Sequence, residues 1–201
     1  MLNTLHLQPT RTYCFKEPRP LRAGRLTIRL SDSNGLRRTR ENFLSLLRGD
    51  KGPSKSDRNK RLHYKGVKVH RVETNFVVQT GDVTRNDGSG GEATVSGGVF
   101  KAEVEGLNTT PRYGSVCMTN GGRKDSITSQ FFIVTTQDPD QLKKLSNKQY
   151  VTFGRVLLEL EEKGQEEEVE QNRRVFARWD LISTQDGRPL EECWIEDCGV
   201  F

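Results

Sequence analysis

The longest apolar runs in this chain are only a few residues, Phe131 to Val134 among them, and turn-forming residues separate one run from the next. A bilayer crossing takes roughly 20 apolar residues in succession, so no membrane span is expected. Such short runs suit strands. Residues 26–30 alternate with period two, and 67–72, 76–79, 113–118, 130–135, 151–158 and 193–195 also read as β-like. Two segments depart from this pattern. Residues 38–48 place Phe43, Leu46 and Leu47 at helical spacing with Gly49 as a stop, and 174–182 repeat apolar residues at helical intervals. Many short strands with two helices predict a mainly β domain, an antiparallel barrel or sandwich. With 201 residues, one well-cored domain is expected, with some residues left over.

Charge is distributed unevenly along the chain. Residues 1–72 hold 18 Lys or Arg against 5 Asp or Glu, whereas the remaining 129 hold 14 against 22. The asymmetry fits either a solvated basic face or docking to nucleic acid, an acidic tail or another subunit. No basic stripe interleaved with aromatics is present, which argues against RNA binding. Residues 1–31 are arginine-rich with Glu17 as the only acid, and so resemble a transit peptide, although no signal-peptide apolar region is present. The glutamate-dense run at 159–170 reads as solvated surface, with binding of a basic partner as the sharper alternative. Cys14, Cys117, Cys193 and Cys198 lack metal-ligand or redox spacing, so reduced thiols in a reducing compartment, the cytoplasm, are expected, with nuclear or mitochondrial placement left open.

The chemistry concentrates in two places. Ser129-Gln130-Phe131-Phe132-Ile133, taken with His70-Arg71, Phe76 and Gln79-Thr80-Gly81-Asp82, supplies an arginine, two amides and several phenylalanines. These residue types suit a shallow apolar socket with a few fixed hydrogen-bonding groups, able to grip a proline ring. No nucleophile with a base, metal cage or phosphate loop accompanies them, so any catalysis works by shape and hydrogen bonding, without cofactor or metal. Neighbours in a strand point to opposite faces, which assigns Phe131 to the core and Phe132 to the socket.

These residues resemble the cyclophilins, a family of peptidyl-prolyl cis-trans isomerases. The matching pieces, in the family's order, are Glu41-Asn42-Phe43, Tyr64-Lys65-Gly66, His70-Arg71-Val72, Phe76-x-x-Gln79-x-Gly81-Asp82-x-Thr84-Arg85, Asp87-Gly88-Ser89-Gly90-Gly91-Glu92, Met118-x-Asn120, Ser129-Gln130-Phe131-Phe132-Ile133, Val151-x-Phe153-Gly154 and Asp197-Cys198-Gly199. The resemblance implies an eight-stranded antiparallel closed β-barrel capped by two α-helices. It also implies an N-terminal extension at 1–21 and a cyclophilin-like domain at 22–201 with an acidic insertion near 159–172. It carries catalytic roles onto Arg71, Phe76, Gln79, Asn120 and Phe132, and substrate-binding roles onto Val77, Gly88, Thr119, Gly121, Gln130, Leu145 and Tyr150. The implied partners are proline-containing peptides or proteins.

Several positions depart from the family's pattern. Tyr150 stands where a histidine is usual, and the loop 137–149 is long and lacks the usual tryptophan, with Leu145 the nearest apolar match. The missing indole implies weak or no cyclosporin binding. Glu73-Thr74-Asn75 replaces a proline-glycine turn, Val77 a frequent methionine, and Thr119 and Gly121 alanines. The loop 49–62 resembles the extended loop of a divergent subgroup, with Glu92 at the place of its anchoring glutamate. Leu47 replaces that subgroup's switch cysteine, so no disulfide switch is expected. Two functions are therefore open: an isomerase acting on X-Pro bonds of client proteins, or a catalytically weak or inactive cyclophilin-like interaction module or structural subunit of a larger assembly.

Overall fold

The computed structural model describes residues 22–146 and 148–200. The N-terminal extension at 1–21, with Cys14, lies outside the described residues. Six strands form one antiparallel sheet: β1 (Ile28–Leu30), β2 (Arg71–Glu73), β3 (Val77–Thr80), β4 (Ser115–Met118), β5 (Phe131–Val134) and β6 (Val151–Val156), in the order β1-β6-β4-β5-β3-β2. Two further strands, β7 (Thr184–Gln185) and β8 (Arg188–Pro189), make a hairpin ribbon. Among the described residues the strands number eight and the fold is mainly β as expected; residues 193–195, expected as a strand, contribute only the isolated bridge of Trp194 to Lys68, because their partner is a short irregular segment rather than a full strand. The ladder of the main sheet is open in register between β1 and β2. Beyond β2 the chain continues the pairing by other means: Val72 N donates to Gly187 O at 2.8 Å, and residues 66–69 pair with 193–195 through Gly66 N to Ile195 O, Ile195 N to Val67 O and Val69 N to Cys193 O.

One face of the sheet closes over the main core. Val72, Val78, Val116, Phe131, Ile133, Val151 and Phe153 join Phe43 and Leu46 of α1 (Arg37–Arg48), and Val175, Phe176 and Trp179 of α4 (Glu166–Trp179), in a single buried cluster. Phe43 is its hub, with its ring 4.9 Å from Phe153, 5.2 Å from Phe131 and 5.3 Å from Tyr64. Helix α1 forms where its apolar spacing predicts and stops at Gly49, whose φ of 64° is the left-handed conformation that glycine adopts without strain. Its first turn has no local side-chain cap. Instead Glu103 reaches across the fold, its carboxylate accepting from Arg38 N at 3.0 Å and Thr39 N at 2.9 Å.

The second long helix begins eight residues before the expected 174. Glu166, Glu167 and Glu168 occupy its first turn, where carboxylates complement the positive end of the helix dipole. The glutamate run is thus partly a helix start. Two short helices complete the set, α2 (Val104–Asn108) and α3 (Pro139–Leu145). The latter lies within the segment 137–149 read from sequence as a loop. Asp138 caps it by accepting from Asp140 N at 2.8 Å, and Pro139 sits at its first position.

Among the described residues, no helix is long and apolar enough to cross a membrane. The long loop 49–62 is pinned by buried Glu92, which accepts from Ser54 Oγ at 2.7 Å and Lys55 N at 2.9 Å. Truncating the hub should test how far the fold depends on it: Phe43→Ala is expected to lower unfolding free energy by about 3–5 kcal/mol in a denaturant titration.

Candidate functional site

The register of the sheet lines up the chemically distinctive side chains. Arg71 stands opposite Gln79, Gln79 opposite Phe132, and Phe132 opposite Cys117. Residues directly opposite share a face, so these four form a row across β2, β3, β5 and β4 on the side away from the main core. A second row of the same face holds Glu73, Val77 and Val134. Val77, Cys117, Phe132, Val134 and Leu145 are buried there, with Phe76, Leu142 and Tyr150 packed against them and partly exposed. Phe131 belongs to the main core and Phe132 to this outer cluster.

The socket is shallower than its residue types imply. Helix α3 brings Leu142 and Leu145 onto the outer cluster, and Tyr150 stands edge-on to Phe132, ring centroids 4.9 Å apart at 84°. Phe132 is left 3% exposed, Val77 4% and Leu145 5%. The partly open rings are therefore Phe76 and Tyr150. Open clefts of about 450 and 530 Å³ lie elsewhere, the first beside Arg38 and Lys101, the second along residues 185–190 of the β7–β8 hairpin.

Polar groups extend the row sideways. Gln79 Nε2 donates to Gln130 Oε1 at 2.9 Å, and Gln130 Nε2 donates to Gly88 O at 2.9 Å and Gly90 O at 2.7 Å. Gly88 is held in turn by Asp82, whose buried carboxylate accepts from the backbone N–H groups of Arg85 (2.9 Å), Gly88 (3.0 Å) and Gly90 (3.0 Å), and from the Thr84 hydroxyl (3.0 Å). A side chain at Gly88 would meet the His70 ring at 2.6 Å, and its φ is 88°, so glycine is required twice over. Burial pushes His70 below the usual imidazole range, which keeps it neutral at pH 7. Thr119 continues β4, its N–H donating to Gln130 O at 3.0 Å. Asn120 is buried and turned inward: its Nδ2 donates to Gln149 O at 2.5 Å, and its Oδ1 accepts from Gly122 N at 3.1 Å. Gly121 is exposed beside it.

Arg71 is half-exposed, and its guanidinium is held by Glu73, with Nε 3.1 Å from Oε1 and Nη2 on the same oxygen. The sequence reading took Glu73 only as part of an altered turn. Its signal was available, because residues two apart in a strand share a face. The turn itself is workable without glycine: Asn75 takes the left-handed conformation, φ 55°, which asparagine tolerates better than most residues.

Three glutamates of the acidic insertion, Glu161, Glu162 and Glu170, are engaged by the chain's own arginines. Arg29 and Arg155 face each other across β1 and β6, a repulsive pairing that Glu161 relieves by bonding both. Glu162 adds a contact to Arg29 at 3.3 Å, and Glu170 pairs with Arg174 at 2.9 Å.

Comparison with known proteins places this geometry in a family context. The model of cyclophilin type peptidyl-prolyl cis-trans isomerase/CLD matches residues 20–200. A curated relative, peptidyl-prolyl cis-trans isomerase CYP21-1 of Arabidopsis thaliana, is 33% identical over 178 residues, 89% of this chain and 69% of the relative. Among solved structures, a Cryptosporidium parvum cyclophilin type peptidyl-prolyl cis-trans isomerase superposes with a TM-score of 0.62 at 23% identity, covering 86% of this chain and 88% of that one. The same protein crystallised in the presence of the dipeptide Ala-Pro superposes at 0.63 and 22%, covering 88% and 92%. At those identities the structures speak for the fold.

Asp82 provides a measurable handle on the groove. Burial raises its pKa, but hydrogen bonds from Arg85, Gly90 and Thr84 outweigh that and hold it below the usual aspartate range. A lowered folded pKa means stability that is fully present above the unfolded value of about 3.9 and is lost as pH falls through the folded value. Asp82→Asn should therefore be less stable than the parent by about 1–3 kcal/mol at pH 7, and the gap should narrow as the pH is taken below 4 in denaturant titrations.

Proposed function

Because the chain belongs to the cyclophilin-type peptidyl-prolyl cis-trans isomerases, we propose that it turns over X-Pro bonds in exposed segments of client proteins, using the outer face of β2, β3 and β5 and no cofactor. The observation that carries this reading is the cross-strand row Arg71–Gln79–Phe132, which sets a cation and an amide beside an aromatic floor on one face. The X-Pro amide resists rotation by about 18–20 kcal/mol because its C–N bond is conjugated. A guanidinium donating to the proline nitrogen favours a pyramidal nitrogen and weakens that conjugation. Arg71 takes this role. Phe76, Val77, Phe132, Leu145 and Tyr150 hold the proline ring while the carbonyl side turns. Gln79 and Asn120 are assigned to the peptide backbone, and Gly88, Thr119, Gly121 and Gln130 to the adjoining groove. A rate gain of about 10⁵ would require roughly 7 kcal/mol of preference for the twisted state over the planar one.

A second reading has its own support. The deep burial of Phe132, Val77 and Leu145 beneath α3, and the inward turn of the Asn120 amide, favour weak turnover and a role as an interaction module in a larger assembly. In that reading the basic N-terminal region is the docking surface of choice, since Glu161, Glu162 and Glu170 of the 159–170 segment already pair with internal arginines. The domain comprises 22–201, with 1–21 as an extension and the acidic insertion near 159–172. Free Cys117, Cys193 and Cys198 support a reducing compartment, the cytoplasm, with nuclear or mitochondrial placement under the same argument. Neither membrane nor nucleic acid is proposed as a partner.

Exchange NMR on a short Ala-Pro peptide separates the two readings. The wild type is expected to speed cis–trans exchange, and Arg71→Ala to lower the rate by about 10²–10³ as one preorganised donor is lost. An unchanged rate in the variant would remove Arg71 from the mechanism, and no enhancement by concentrated wild type would leave the interaction module. Cyclosporin should leave the wild-type rate unchanged at concentrations that saturate tryptophan-bearing relatives, because no tryptophan occupies 137–149; potent inhibition would overturn that assignment.

A further inference from the structure

We propose that Glu73 is a positioning residue for the isomerisation, fixing the Arg71 guanidinium so that its free edge is presented to the proline nitrogen; this rests on the reading of Arg71 as the donor. Among the described residues, Glu73 is the only hydrogen-bonding partner of that guanidinium. Gln79 faces Arg71 across the ladder, but its amide bonds Gln130 through Nε2 and makes no hydrogen bond to the guanidinium. Both contacts from Arg71 converge on one carboxylate oxygen, through Nε and Nη2, which leaves the Nη1 hydrogens available to a ligand.

The other side of the pair is walled by backbone. The turn of the β7–β8 hairpin lies against β2, with Val72 N bonded to Gly187 O at 2.8 Å. A Cβ at Gly187 would lie 3.7 Å from Arg71 Cγ and 3.8 Å from Glu73 Cγ. The arginine stem thus runs beside the hairpin turn, with room between them for no more than about a methyl group, and the head is tethered by Glu73. An untethered arginine head samples many rotamers, and catalysis by a single donor depends on its being held near the reacting atom before substrate arrives. The tether needs an acceptor oxygen at glutamate's reach rather than a negative charge.

That distinction fixes the experiment, using Glu73→Ala, Glu73→Asp, Glu73→Gln and Arg71→Ala in the full chain, with kcat and KM for an Ala-Pro peptide from exchange NMR. The alanine and aspartate variants should lose about three- to fivefold in kcat with KM within about twofold of wild type, as expected for one exposed contact. The glutamine variant, which keeps the reach and the acceptor, should keep more than half of kcat. The Arg71 Nε–H resonance should be sharp in wild type and Glu73→Gln and exchange-broadened in Glu73→Ala and Glu73→Asp, a signature that a merely structural surface pair would not tie to kcat. Unchanged or raised kcat in both the alanine and aspartate variants, with Arg71→Ala inactive, overturns the positioning role and leaves the donor assignment standing. Wild-type kcat in Arg71→Ala overturns both.

Discussion

The two-residue period of β5 is the constraint on which the rest of this molecule hangs. Phe131 and Phe132 are adjacent in sequence and chemically identical, yet one closes the main core against Phe43 and Tyr64 while the other floors an outer cluster with Tyr150. Their separation comes from the pleat. A slip of one residue against β3 or β4 would exchange their faces, sending Phe131 and Ile133 outward and Phe132 and Val134 into the core, and would break the fitted packing around Phe43. Pairing on both sides holds the register, with Phe132 opposite Gln79 in β3 and Cys117 in β4.

Electrostatics on the outer face follow from the same alternation. Placing Glu73 two residues after Arg71 on an edge strand brings a carboxylate to the guanidinium on the solvent side, where the pair adds little to folding. A similar compensation operates at the opposite edge of the sheet, where Glu161 lies between Arg29 and Arg155.

The outer cluster shows a compromise between packing and access. Helix α3 lays Leu142 and Leu145 over Val77 and Phe132, which stabilises the sheet's outer face and narrows the socket. Tyr150 does the same from the other side. The groove that remains is bounded by Phe76, Tyr150 and the Gln79–Gln130–Gly88 relay. Within that relay the Gln79 amide nitrogen and both ends of the Gln130 amide are already engaged by the protein.

What the sequence determined by itself was local and periodic. The strand segments, the helix ending at Gly49 and the opposite facing of Phe131 and Phe132 follow from side-chain spacing and backbone preference, which act over a few residues. Signals for α3 and the β7–β8 hairpin were present, in Asp138-Pro139 and Asp186-Gly187, but a cap or a turn does not say whether the following element is long enough to matter. Only the tertiary structure decided that Glu103 caps a helix 65 residues away, that Asn120 turns inward, that α3 covers Phe132 and that Gly187 backs Arg71. Those are contacts between segments distant in the chain, set by how the sheet and helices pack together, and no window of neighbouring residues contains them.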